Sequence, residues 1–242
     1  MATRLKWSRD ETLAALSLYV QIPFGKMHSN NPRVVALASA IGRTPSSVAL
    51  KLTNLASLDP DLQARGVGGM KNASALDRQV WAEFYGRWND LAAATAEIPL
   101  DERLPPPTER RAEATQRIGQ AFFRRAVLAA WDNSCAITGL RVADLLRASH
   151  IVPWADDESN RLNPRNGLCL NALHDAAFDR GLMTIDESMR VVYARSLRSA
   201  LKRADGPSMV AAYEGQALRS PERLRPEGAF LEHHRTRVFV DA

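Results

Sequence analysis

Only two cysteines, Cys135 and Cys169, occur in 242 residues. They form no Cys-x-x-Cys pair, which excludes a four-cysteine structural zinc and a disulfide framework and suits a reducing cytoplasm. Long apolar runs are missing as well. Nothing approaches the ~20 residues of a membrane span, and no signal-like apolar region follows Met1, so the expectation is a cytoplasmic chain with no membrane partner. Charge is not concentrated in blocks. The net charge is +5, with +3 over residues 1–98 and +2 over the rest. A pI near 9.5 permits an acidic partner without requiring one. Internal repeats and low-complexity tracts are absent. What remains is globular in composition, 45% hydrophobic and 24% charged, and the length predicts two domains.

The most informative stretch runs from Arg147 to Gly181. Leu145–Ile151 reads as a strand that delivers His150 at its end. Asn163-Pro164-Arg165-Asn166 is a turn by composition, and Gly167–Leu170 is a second short apolar strand. Ala172–Arg180 reads as a helix stopped by Gly181. Asp175 and Asp179 are four apart, so on that helix they lie one above the other. Stacked carboxylates repel unless a cation sits between them, and their oxygens suit Mg²⁺ or Mn²⁺. An imidazole beside such an ion could deprotonate water, with a phosphate as the electrophile. The same spacing also fits an ordinary surface helix with two solvated acids.

Several motifs in fixed order carry a resemblance: Ala148-Ser149-His150-Ile151-Val152-Pro153-Trp154, Asn166-Gly167-Leu168, and Asp175-Ala176-Ala177-Phe178-Asp179-Arg180-Gly181. Upstream stand Arg117-Ile118-Gly119-Gln120, Phe123-Arg124 and Cys135-Ala136-Ile137-Thr138-Gly139. Together they resemble the ββα-metal core of the HNH endonucleases, over about residues 113–240. The resemblance implies that His150 is the general base. It implies that Asn166 either orients the base loop or ligates a metal. The family's helix ligands correspond to Asp175 and Asp179, with His174, one residue off register, as second choice. Ser149 departs from the pattern, since many relatives carry an Asp or His ligand there. The resemblance further implies one divalent ion per chain, Mg or Mn, and cleavage of double-stranded DNA to 5′-phosphate and 3′-hydroxyl ends. Its usual setting is restriction or antiphage defence, sometimes against modified DNA.

Residues 1–98 read as a small helical domain. Ser8 and Glu11 have capping-box spacing before a first helix that ends by Pro23. Pro32 suits the first turn of a second helix, which Gly42 stops. Thr44-Pro45 caps and starts a third helix running to about Leu55, with Val48, Leu52 and Leu55 on one stripe. A last helix is expected from Ser74 to Ala94. The segment is similar to Myb-like and helix-turn-helix modules, in which the third helix enters the major groove. That implies DNA contacts from Arg43, Ser46, Ser47, Lys51 and Asn54. A packing or dimerisation domain is the alternative.

Residues 99–112, with Pro105-Pro106-Pro107, read as an extended linker. The rest, 113–242, is the nuclease domain, so the fold class is α+β. Its adjacent His233 and His234 point apart on any regular element and read as packing. The overall expectation is a metal-dependent DNA endonuclease, acting as a homodimer if one site per chain cuts both strands. Two other readings stay open: a non-catalytic DNA-binding regulator, and an effector nuclease activated by a partner or signal.

Overall fold

The computed structural model describes residues 6–67, 72–96, 98, 111–203 and 210–241. The chain divides into two compact units, Met1–Arg125 and Ala126–Ala242. Residues 99–110, most of the proline-rich stretch expected to be a linker, lie outside the described residues.

In the first unit, α1 (Arg9–Gln21) is buried from Thr12 to Gln21, so it forms the centre rather than one amphipathic wall. Its start has both hydrogen bonds of a capping box between Ser8 and Glu11. Around it pack α2 (Pro32–Ala40), α3 (Pro45–Ala56), α4 (Pro60–Ala64), α5 (Ala75–Phe84) and α6 (Trp88–Ala94). The helices α2, α3 and α4 start alike. Asn31, Thr44 and Asp59 each accept a backbone N–H, and a proline follows where no donor is needed. The single helix expected over 74–94 is in fact two. Gly86 takes a φ of 93°, which only glycine adopts cheaply, and the chain restarts at Trp88. The break lets Tyr85 stack on Trp81, with ring centres 4.0 Å apart.

Helix α7 (Arg111–Ala130) crosses the boundary between the units. It ends where Asp132 and Asn133 take successive positive φ values, as residues with short polar side chains tolerate. The second unit then builds an antiparallel pair, β1 (Leu146–His150) and β2 (Gly167–Asn171), in the register Leu146↔Asn171 to His150↔Gly167. Strand β2 is buried throughout. Helix α8 (Ala172–Asp179) follows without a loop, because the Asn171 side chain caps it by accepting from Leu173 and His174 N–H.

Gly181 ends α8 at a φ of +67°. A Cβ there would stand 2.1 Å from the Val238 carbonyl oxygen, and Val240 N–H donates to the Gly181 carbonyl. A second pair, β3 (Met183–Ile185) and β4 (Val191–Tyr193), leads into α9 (Arg195–Arg203), and α10 (Gly228–His233) comes last. His234 is buried, stacked on Phe178 at 3.6 Å between ring centres, and bonded to Thr184 Oγ1 and the Phe178 carbonyl. It is a packing residue against the inner side of α8.

Candidate active site

Strand alternation sorts the residues of β1. Ser149 turns toward α8, and His150 turns to the other side. The Ser149 hydroxyl lies 3.3 Å from Asp179 Oδ1 and within hydrogen-bonding reach of Asp175 as well. The two carboxylates expected to stack on successive turns do so, against a serine on the neighbouring strand. Burial raises the Asp175 carboxyl above its usual value, opposed by the Ser149 bond and the Arg147 charge. Burial also raises Asp179, the Asp175 charge adds to it, and Ser149 and Arg180 oppose it. The pair is therefore frustrated as it stands: Asp175 is half-buried and Asp179 exposed at the end of the helix, and two adjacent carboxylates favour a shared cation or a shared proton.

His150 is held by its own loop. Its Nε2 lies 2.9 Å from the Arg161 carbonyl oxygen. A carbonyl only accepts, so Nε2 carries the proton and Nδ1 the lone pair. Burial lowers the imidazole pKa, and the carbonyl bond partly restores it. Arg161 in turn donates Nε to the Trp154 carbonyl and lies over the Trp154 ring at 5.1 Å, while that ring meets His150 edge-on.

Asn166 is buried and bound to its own loop. Its Oδ1 accepts Val152 N–H at 2.8 Å, and its Nδ2 donates to the Val152 and Asn160 carbonyls. Of its two expected roles, the geometry fits orientation of the base loop. Asn160 completes the brace by bonding Asp157 and Asn163. The brace from Asn160 and Arg161 lies outside the motifs that carry the resemblance. The three-residue spacing of Asn160, Asn163 and Asn166 in a turn-rich stretch was the available signal.

His174, the second-choice ligand, is 1% exposed and bound to Asn171. The Asn171 oxygen is taken by backbone donors, so its Nδ2 faces His174 Nδ1 at 2.9 Å and donates to it. The proton of the neutral ring then sits on Nε2, which is buried without a hydrogen-bond partner and edge-on to Tyr213. Burial pushes its pKa down to about 4. Neither ring nitrogen offers a lone pair to a cation.

Two of the residues expected to contact DNA have partners within the helical unit. Lys51 is 5% exposed, and its ammonium binds the Asp77 carboxylate and lies 4.6 Å from the Trp7 ring centre. Arg43 grips both Glu11 oxygens and the Lys6 carbonyl and covers Trp7 at 4.7 Å. Both cations clamp Trp7 onto the helical unit, because cation–π contact and acid partners outcompete water here. Ser46 is exposed and Ser47 half-buried at the start of α3, while Asn54 has its Oδ1 buried.

Residues 135–186, about a fifth of the chain, match the family model described as HNH endonuclease. This segment belongs to the HNH endonuclease family. No curated protein matches the chain. The HNH segment contains every residue of the site above, from Ser149 and His150 through Asn166 to Asp175 and Asp179. It begins at Cys135, whose Sγ accepts Thr138 and Asn171 N–H and so ties the entry turn to the end of β2. Its class is that of nucleases, hydrolases acting on nucleic-acid phosphodiester bonds. Among the described residues, no three His, Cys, Asp or Glu side chains converge. The protein donors are the two carboxylates, with the Ser149 hydroxyl beside them. An all-oxygen set of this kind fits a small hard cation that keeps several waters. No helix of the described residues is long and apolar enough to cross a membrane.

Proposed function

We infer that this protein is a metal-dependent DNA endonuclease whose chemistry resides on β1 and α8. The observation that carries the reading is the two-sided placement at the end of β1. His150, with its proton fixed on Nε2 by Arg161, stands next to Ser149, which meets Asp175 and Asp179. Asp175 and Asp179 would hold Mg²⁺ or Mn²⁺, which when bound supplies charge stabilisation to the phosphate and the leaving oxygen. His150 Nδ1 takes a proton from water as the water oxygen bonds to phosphorus. The P–O3′ bond breaks, and the departing oxygen takes a proton from solvent water, leaving 3′-hydroxyl and 5′-phosphate ends, while His150 returns its proton to solvent. Asn166 keeps the loop from Val152 to Asn160 fixed, so that the base does not swing away during the step.

The helical unit is the recognition module in this reading. The start of α3, with Ser46 exposed and Ser47 half-buried, supports that role in place of Lys51. Two copies of the chain would be needed for one site each to cut both strands. Restriction or antiphage defence is the biological setting that the sequence resemblance supports. The test is plasmid nicking with Mg²⁺, Mn²⁺ or EDTA, on modified and unmodified DNA. Ion-dependent nicking that His150→Ala removes supports the reading. DNA binding with no nicking in any ion favours the regulator instead.

A further inference from the structure

A second charged surface lies in the same unit but outside residues 135–186. From residue 188 to 204 the sequence has five cations, Arg190, Arg195, Arg198, Lys202 and Arg203, and no acid. Four of them are on α9. At 100° per residue, Arg195, Arg198 and Lys202 form one stripe, and Leu197 and Leu201 lie to one side of it, next to Arg198. No residue of α9 is fully buried. Leu197, Arg198 and Leu201 are half-buried, and Arg195, Lys202 and Arg203 are exposed.

This charge distribution works against the helix itself. Like charges three or four apart repel, and Arg195 and Arg198 occupy the first turns, where positive charge opposes the helix dipole. Arg195 meets Asp241 and Arg198 meets Glu214, both as exposed pairs that contribute little. Lys202 and Arg203 have no ion pair among the described residues. An anionic partner would relieve all of these unfavourable terms at once.

The position of α9 selects the partner. Ala194 N–H donates to the Leu182 carbonyl, and Arg195 N–H to Asp241 Oδ1. The helix therefore starts beside Gly181–Leu182, directly after the last turn of α8 with its Asp179. Arg180 and Arg147, both exposed, flank the acid pair from α8 and β1. Nine residues of helix extend about 13 Å, a length over which duplex DNA presents one charge per ~1.7 Å of axis.

We propose that α9 is a phosphate clamp of the nuclease unit: Arg195, Arg198, Lys202 and Arg203 hold the backbone of duplex DNA alongside α8. The clamp rests on the DNA-nuclease reading above. It contacts phosphates alone, so it gives affinity and register without sequence preference. The test uses the full chain in EDTA, which separates binding from cleavage, with a labelled duplex titrated at salt between about 50 and 200 mM. Three double variants are compared: Arg195→Gln with Arg198→Gln, Lys202→Gln with Arg203→Gln, and the charge-keeping Lys202→Arg with Arg203→Lys. Glutamine retains helix propensity, and none of the four positions is buried, so the fold is preserved. Each neutral pair should flatten the slope of log K against log salt by about two, equally on unrelated sequences. The charge-keeping pair should match the wild type. Neutral pairs with wild-type slope and affinity would overturn the clamp and leave the nuclease reading standing. A wild-type chain that neither binds nor, with Mn²⁺ added, nicks duplex at the lowest salt would overturn both.

Discussion

The His150 ring and the Arg161 carbonyl face one another across 2.9 Å, so a loop of ten residues returns to fix the tautomer of the residue it leaves. The loop does so through main-chain oxygen, which has no pKa of its own in the working range. The base is therefore set by geometry that pH does not disturb.

For His150→Ala, we expect cleavage to fall about 10²–10⁴-fold with duplex binding unchanged. Because burial holds the wild-type imidazole below its ordinary pKa, the lone pair is available throughout the neutral range. The nicking rate should stay level above neutrality and decline only in acid, below the usual histidine value. Rate profiles of plasmid nicking between pH 5 and 9 check this. A profile that climbs steeply through pH 7–8 would contradict it.

The acid pair predicts opposite responses of stability and activity. Both carboxyls have folded-state pKa values above their unfolded ones, so their favourable contribution exists in acid and is lost as pH rises through the folded values. At neutral pH without a divalent ion, Asp179→Asn should raise Tm, by about 2–4 °C for each kcal/mol of repulsion relieved. Mn²⁺ should raise the wild-type Tm and leave that of the variant unchanged, while the variant loses cleavage. Thermal melts with EDTA and with Mn²⁺ read both effects, and a lowered Tm for Asp179→Asn in EDTA would refute the repulsion.

His174 and His234 predict acid sensitivity of the second unit. Burial holds both near a pKa of about 4, whereas in the unfolded chain they titrate near 6.5. Stability present above pH 6.5 is lost as pH falls toward 4, because only the unfolded chain takes up the protons. Urea midpoints at pH 7.5 and 5 should differ, and His234→Gln should shrink the difference. An unchanged pH dependence in that variant would count against the assignment.

Lys51 was read from the sequence as a phosphate contact, and its structural role gives another outcome. Removing it leaves the buried Asp77 carboxylate without its cation, so Lys51→Ala should cost about 3–5 kcal/mol. A urea melt of the isolated transition of the helical unit measures this. A loss under 1 kcal/mol would return Lys51 to the surface role.

The contrast between Lys51 and the helix starts separates what was legible from what was not. Caps and prolines act within a few residues, so the beginnings of α2 and α3 and the Ser8 box stood in the sequence at their observed places. The β1–β2–α8 order was legible for the same reason, from alternation, the Asn-rich turn and Gly181. The inward turn of Lys51 depends on Asp77, twenty-six residues on, and on Trp7, which no local pattern encodes. Gly86 was present, but a lone glycine in a helical pattern reads as tolerated until the packing of Trp81, Tyr85 and Trp88 requires a break. In the site, the stacking of Asp175 over Asp179 followed from spacing. The convergence of Ser149 on both acids depends on strand register, which only the folded pair supplies.

Val238 and Val240 lie across Gly181, where even a methyl group has no space. Val240 N–H bonds to that glycine's carbonyl, and His234 is stacked on Phe178 in the middle of α8. The segment from His234 to Val240 thus works as a latch on the helix that carries both acids. A protease that cuts the chain between Val238 and Val240 would act on the nuclease centre from the outside. It would loosen the turn after Asp179 without removing any residue that takes part in the chemistry.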